Sequence, residues 1–447
     1  MSGLTCRWPG QRASRRLTGP ATWLTTPYPL GPGSPVSSRT PLAVFIRDAD
    51  DHRAGRAPKR FDHVGKQRTH EARQETGNSR ERARLEKCLR AADIEIDGRR
   101  PWDIQVRDSR LYGRLWAKGS IAAGDAYVDG WWDCEDLDGM MYRVIQSGMH
   151  TRFSHWTDIV VALKAKALNL QTSSRAREVE RRHYDIGNDL YRHMLDRRMI
   201  YSCAYWEHAD NLDDAQEAKL DLVCRKLGLE PGMRVLDIGC GWGGAARFAA
   251  ERYGVSVVGV TIAHEQFNVA REACEGLPVD IRLQDYREIR GRFDRIYSIG
   301  MFEHVGYKNY RTYMRMVNER LAPDGLFLLH TIGSNVSDSH GNPWVERHIF
   351  PNSMVPSCRQ IADAAEGHLM VEDWHRFGSD YDRTLTQWWR NVDRHWDSLR
   401  HRYDERFYRM WRYYLLSFAG AFRARHNQVW QVVLSPLGSA RRYIAVR

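Results

Sequence analysis

The spacing of apolar residues changes period near residue 220. From there to about residue 334, apolar runs of strand length (MRVLDIGC, VSVVGVTI, DIRLQD, FDRIYSIGM and GLFLLHTIG) alternate with segments of helical spacing. That alternation predicts a parallel sheet with helices on both faces, and ligands of such sheets lie beyond the C-terminal ends of the strands. Upstream the period is helical: Leu85, Leu89 and Ile94 recur along RERARLEKCLRAADI. In HWTDIVVALKAKALNL, residues 155–170, Ile159, Val160, Leu163 and Ala167 form an apolar face, with Lys164 and Lys166 on other faces. Such a face suits a membrane surface or packing between domains equally. Residues 1–78 carry prolines, glycines, serines and arginines without apolar periodicity, as in TTPYPLGPGSPVSSRTP, and cannot offset the ordering cost of folding.

The chain therefore divides into a disordered extension (1–78), a small mainly helical domain (79–154), a linker helix (155–180) and an α/β domain (181–447). Within the second part, Trp131, Trp132, Met140 and Met141 of GDAYVDGWWDCEDLDGMMYRVI read first as core, with an apolar platform for acyl chains as the lesser alternative.

At 447 residues and 42% hydrophobic, the chain has material for at least one large core. Lys plus Arg outnumber Asp plus Glu by 67 to 56, a formal charge of +11, which favours anionic partners such as phosphate head groups or nucleic acid. Part of that excess lies in the first 80 residues. The eight cysteines (Cys6, Cys88, Cys134, Cys203, Cys224, Cys240, Cys274 and Cys358) form no CxxC pair, so neither a disulfide framework nor a zinc knuckle is indicated and no metal is expected. A reducing cytoplasm fits this usage. No apolar stretch approaches the roughly 20 residues that span a bilayer, so membrane contact would be peripheral, at the inner face.

Chemistry enters at VLDIGCGWGG, residues 235–244. A β-branched strand ends at Asp237, and Gly239, Gly241 and Gly243 let the backbone turn tightly and approach a ligand. A dinucleotide-binding loop would read G-x-G-x-x-G, with an acid about 20 residues on, at the tip of the second strand; here SVVGVT ends in Thr261. The D-x-G-x-G form resembles instead the first motif of class I S-adenosylmethionine methyltransferases. The resemblance narrows with HYDIGNDLY (183–191), YSCAYW (201–206), VGVTIAHEQ (258–266), GMFEHVG (300–306), LLHTIGS (328–334), FGSDYDRTL (377–385) and AGAFRAR (419–425). In this order they resemble the cyclopropane-fatty-acyl-phospholipid synthases and, at a greater distance, their mycolic-acid-modifying relatives. The likeness covers roughly residues 80–447.

The resemblance implies a class I methyltransferase fold, a doubly wound and mostly parallel sheet behind the small helical domain. It also implies an S-adenosylmethionine pocket lined by Tyr201, Ser202, Leu236, Asp237, Ile238, Gly239, Cys240, Gly241, Trp242, Gly243, Gly244, Thr261, Gln266, Asp285 and Tyr286. Thr261 and Gln266 stand where many methyltransferases place an acid, so ribose recognition would be by neutral hydrogen bonds. For Asp285 a strand-end cap is the plainer alternative.

Methyl transfer to an isolated cis alkene uses a very poor nucleophile and leaves a carbocation, which needs a dry site, electron-rich faces and a base. Tyr184, Tyr205, Trp206, Phe302, Tyr310 and Tyr381 are the nearby aromatics, and only Tyr381 sits in a supporting motif. As the base, the resemblance implies a bound bicarbonate held by Cys203, Glu303, His330, a backbone group of Ile332 and Tyr381. Glu303 would accept the bicarbonate O–H, with Tyr381 and His330 donating to its other oxygens. Cys203 and His330 have plainer readings as buried core residues, and His304 is assigned no chemistry. One departure stands out: the resemblance implies a cysteine directly before AGAFRAR, where this chain has Phe418. A mechanism without a thiolate nucleophile makes that cysteine dispensable.

The function so implied is conversion of unsaturated acyl chains of membrane phospholipids into cyclopropane chains, by a homodimer at the membrane surface. A methyl-branched product is the alternative on the same fold. A nucleic-acid role rests on charge alone: there is no zinc knuckle, no RNA-binding aromatic signature and no N–P–P–Y tetrad after the fourth strand.

Overall fold

In the computed structural model, residues 79–153 and 187–447 are described; the extension 1–78 and the linker 155–180 lie outside them. A helix over residues 79–90 (α1) buries Leu85 and Leu89, the two positions whose spacing predicted it. A two-stranded ribbon, β1 (Gln105–Val106) and β2 (Trp132–Asp133), brackets α2 (Arg110–Val128), and α3 (Leu137–Gln146) follows. The Asp136 side chain caps α3 by accepting the Gly139 N–H.

Beyond α4 (Asn188–Met194) and α5 (Leu212–Leu227) the five expected strands appear: β3 (Arg234–Ile238), β4 (Ser256–Thr261), β5 (Val279–Leu283), β6 (Phe293–Ile299) and β7 (Leu321–Ser334). They alternate with α6 (Gly244–Tyr253), α7 (His264–Ala273) and α8 (Tyr310–Arg320). Next come α9 (Pro343–His348), α10 (Cys358–Ala365), β8 (Leu369–Arg376), α11 (Asp380–Arg394), α12 (Trp396–Leu399), α13 (Glu405–Arg423) and β9 (Asn427–Pro436). The seven-stranded sheet has the order β5-β4-β3-β6-β7-β9-β8. Its first five strands are parallel, β9 runs antiparallel between β7 and β8, and β8 and β9 were not expected from the sequence. The order reverses at β3, where β4 lies on one side and β6 on the other. That is the switch point at which such sheets open a ligand crevice.

Strand alternation divides the core. Leu236 and Ile238 face one buried cluster with Phe302 and Tyr313, while Val235 faces another with Phe248 and Ala249. The N-terminal helices share a third cluster with α11 and α13, in which Leu85, Trp132 and Met140 join Trp388, Trp411 and Phe422. Arginines fasten the two together. Arg409 donates to the Tyr127 and Trp132 carbonyls, and Arg412 to those of Cys134 and Glu135. Gly420, from AGAFRAR, permits the contact: a Cβ there would stand 2.4 Å from the Asp138 carbonyl oxygen.

Candidate active site

A cavity of about 770 Å³ starts at the C-terminal tips of β3, β4, β6 and β7 and continues among the N-terminal helices. Its inner branch is apolar, lined by Leu85, Leu115, Trp132, Met140, Val144 and Met149. Trp132 and Met140 are thus both core and cavity wall, which joins the two readings that the sequence left open.

On the sheet side, β3 delivers the glycine loop. Gly239 and Gly241 adopt φ of +83° and +54°, the left-handed region that favours glycine. The Gly239 and Cys240 N–H groups both donate to the Val260 carbonyl, at 2.9 and 3.0 Å, which pins the loop to the tip of β4. At that tip the Thr261 hydroxyl donates to Gln266 Oε1 at 3.2 Å, so a neutral pair stands where an acid would mark a dinucleotide site. Asp237 is buried with Oδ2 unpartnered among the described residues. Burial pushes its carboxyl up to about 7, opposed by the Tyr297 hydroxyl and the Lys219 ammonium.

Thirteen of the residues implied for the cofactor line this cavity: Tyr201, Ser202, Asp237, Ile238, Gly239, Cys240, Gly241, Trp242, Gly244, Thr261, Gln266, Asp285 and Tyr286. Leu236 and Gly243 do not. Leu236 points from β3 into the core cluster; it shares that face with Ile238 but is set back from the C-terminal tip of the strand, where the cavity begins. Gly243 faces α7 instead, where a Cβ would stand 3.1 Å from Ala270 Cβ and from Cys274 Sγ. Asp285 also does what its plainer reading expected: it caps the turn at Tyr286–Glu288, accepting the Arg287 N–H at 3.0 Å and pairing with the Arg287 guanidinium at 3.1 Å.

The second group gathers at the tips of β6 and β7. Ile299 pairs with His330 across the two strands. The short turn after β6 then places Glu303 so that its Oε1 accepts the Ile332 N–H at 2.7 Å, while Oε2 is buried without a partner among the described residues. Burial raises the Glu303 carboxyl to about 6, opposed by the backbone N–H groups of Ile332 and of Glu303 itself. Ile332 therefore has no N–H to offer an anion, and its carbonyl, an acceptor only, already takes the Thr331 hydroxyl at 3.0 Å, so the structure does not place an Ile332 backbone group to hold bicarbonate. His330, 2% exposed, is held neutral by burial and by the cations of Lys219 and Lys226. Its Nδ1 lies 3.4 Å from Gln431 Nε2.

Cys203 donates its thiol to the Ala204 carbonyl at 3.2 Å, and burial pushes its acidity far down. The Tyr381 phenol is likewise kept protonated by burial, with Tyr414, Cys203 and Glu303 near enough to reinforce the effect. Cys203, Glu303, His330, Ile332 and Tyr381 thus share one cavity wall. His304 lines it too, half-buried, its imidazole pushed down to about 4 by burial. Of the other aromatics, Phe302 stacks on Tyr310 at 4.1 Å in the core, Tyr205 and Trp206 pack in the cluster shared with the N-terminal helices, and Tyr184 lies outside the described residues.

Residues 171–432 match the family described as mycolic acid cyclopropane synthetase. The chain belongs to that family. Among relatives, it is 52% identical over 348 residues to the cyclopropane-fatty-acyl-phospholipid synthase of Escherichia coli (strain K12), covering 78% of this chain and 91% of that protein. It is 34% identical over 343 residues to a probable fatty acid methyltransferase of Pseudomonas putida, covering 74% and 86%. Among solved structures, the cyclopropane synthase MmaA2 from Mycobacterium tuberculosis aligns with a TM-score of 0.54 at 31% identity, covering 58% of this chain and 97% of that one. The cyclopropane synthase CmaA1, solved with SAH and CTAB, gives the same figures. The fold is that of the class I methyltransferases.

One residue of this family member escaped the sequence reading. Lys219 of α5 is fully buried, donates to Ser202 Oγ at 2.8 Å and is pushed down to about 8 by burial. A signal existed, since Ala215, Lys219, Leu222 and Lys226 share one helical face with spacings of three and four, and all four are buried. A lysine repeated on an apolar stripe is a buried charge with a task.

Proposed function

We propose that this chain transfers a methylene carbon from S-adenosylmethionine to the cis double bond of unsaturated phospholipid acyl chains, giving cyclopropane chains. The observation that carries the reading is one cavity lined by a glycine loop at the β3 tip, a buried carboxylate with an oxygen unpartnered among the described residues, and an apolar branch. The 52% identity to the Escherichia coli synthase supports the same reaction.

The loop Ile238–Trp242 and the Thr261–Gln266 pair are placed to hold the cofactor. S-adenosylmethionine, when bound, supplies an electrophilic methyl group. The apolar branch excludes water from the alkene and from the cation it becomes, and the Tyr381 ring offers a face that attracts positive charge. The donor set also fits a bicarbonate ion: Glu303 Oε2 is an orphaned buried acceptor, while His330 and Tyr381 are neutral donors held so by burial. Bicarbonate, when bound, supplies the base for ring closure. Glu303 would fix its orientation from a position itself fixed by the Ile332 N–H, and such positioning is a large part of catalysis. No thiolate is required, which accommodates Phe418 on the cavity wall.

The substrate side remains peripheral to a membrane in this reading: no helix among the described residues is long and apolar enough to cross one. Purified protein, S-adenosylmethionine and vesicles of dioleoylphosphatidylglycerol test it. Cyclopropane lipid supports the proposal, and unaltered lipid refutes it.

A further inference from the structure

The cavity has a second polar region, away from the glycine loop and unused by the mechanism above. His150, from the turn after α3, His340, from the loop after β7, and His426, just before β9, all line it. The rings of His150 and His426 meet edge to face, with centroids 5.1 Å apart. Nδ1 of His150 and Nδ1 of His340 are buried without a hydrogen-bond partner among the described residues. Buried polar atoms left unsatisfied are costly, and each calls for an explanation. Three imidazoles drawn from separate parts of the chain thus line one cavity, two of them in ring contact and two carrying a ring nitrogen with no partner among the described residues.

Their place in the cavity says which acceptor. His426 and Asp338 are exposed, His150 and His340 are half-buried and His330 lies within, so His426 stands at the mouth with the His150 ring against it. Along β7, Ser334 is two residues beyond Ile332, about 7 Å further at about 3.3 Å per residue. Ser334 pairs with Asn427, the neighbour of His426. A lipid whose alkene lies beside Glu303 therefore leads back past Ser334 toward these rings. Val336, 63% exposed, stands beside the mouth where a lipid surface would meet it. Two carboxylates are also near: burial and the His150 ring push the His426 imidazole down, with Asp338 opposing them, and burial raises the Glu346 carboxyl, with the Gly341 N–H and His340 opposing it. Gly341 N–H already occupies Glu346, at 2.6 Å.

We propose that His150, His340 and His426 bind the phosphodiester of the substrate phospholipid at the mouth of the cavity, an inference that rests on the lipid-modifying function above. Ring N–H groups donate to the phosphate oxygens, as charge-assisted hydrogen bonds, and the acyl chain then enters with its double bond at the register of Glu303. The cluster sets the enzyme's preference for phospholipid over a phosphate-free lipid with the same acyl chains.

The test compares dioleoylphosphatidylglycerol with dioleoylglycerol, each in neutral detergent micelles, for the wild type, His426→Leu and the double variant His150→Leu/His426→Leu. The ratio of kcat/KM values for the two lipids should fall about tenfold or more, tenfold corresponding to about 1.4 kcal/mol. His426 is exposed, so its single variant keeps the core intact, and His426→Gln, which retains an N–H donor, should restore much of the preference. An unchanged ratio in the Leu variants would overturn the phosphate site while leaving the reaction in place. A wild type that modifies neither lipid would overturn the proposed function and this inference with it.

Discussion

Replacing Glu303 by glutamine separates what this carboxylate does for the reaction from what it costs the fold. The two side chains have nearly the same shape, so the Oε1 that accepts the Ile332 N–H at 2.7 Å is preserved. What changes is the other atom: Oε2, buried and without a partner among the described residues, becomes an NH₂ group, a donor where an acceptor stood. A hydrogen bond to a charged group is worth roughly 1.5–3 kcal/mol, so Glu303→Gln should lower kcat/KM by about ten- to a hundredfold. Stability should move the other way. Burial raises the carboxyl from 4.5 to about 6, so the folded protein binds this proton more tightly than the unfolded chain does. The ionised group therefore destabilises the fold above pH 6, by about 2 kcal/mol at roughly 1.4 kcal/mol per pH unit, and that penalty disappears as the pH falls below 4.5. Glu303→Gln should melt several degrees higher than the wild type at pH 7.5 and lose that advantage near pH 4.5. Thermal melting across this range, with lipid turnover measured alongside, checks both halves. Wild-type activity, or a lower melting temperature at pH 7.5, would refute the reasoning.

Three further outcomes follow from the geometry. His304→Ala should cost far less activity than Glu303→Ala, because the imidazole is kept neutral by burial and has no assigned chemistry; equal losses in turnover would reverse that assignment. Lys219→Met removes a cation that, after burial, depresses the basicity of His330, so the His330 imidazole should titrate at higher pH in the variant when followed by NMR, and an unmoved titration would contradict the coupling. Gly420→Val puts a side chain 2.4 Å from the Asp138 carbonyl oxygen and 2.9 Å from Met141 Cβ, which should destabilise the protein by about 1–3 kcal/mol in denaturant unfolding.

The parallel half of the sheet was legible because its strands are short apolar runs between helices, and all five fell where the pattern placed them. The antiparallel pair was not. β9 carries a readable run in VWQVVL, but its seat between β7 and β8 depends on pairings such as Leu328 with Val433, which no local pattern encodes. β8 is only partly buried, so its alternation is weak. At the site, contiguous motif residues proved a coarse guide. The loop 236–244 mixes cavity-facing residues with Leu236, which is set back from the strand tip in the core, and Gly243, which packs on α7. Ile332 shows the same limit, since whether its N–H is free depends on a side chain 29 residues away. Lys219 and the histidines at the mouth come from segments whose convergence only the fold reveals.

Addition of a ring carbon to an alkene in this cavity can be followed directly. Purified protein should be incubated with dioleoylphosphatidylglycerol vesicles and S-adenosylmethionine carrying a ¹³C-labelled methyl group, and the released acyl chains analysed by mass spectrometry before and after catalytic hydrogenation under mild conditions. A gain of one labelled methylene unit is expected, in chains that no longer take up hydrogen. Chains that gain no label, or that gain it and still take up hydrogen as alkenes do, would contradict it.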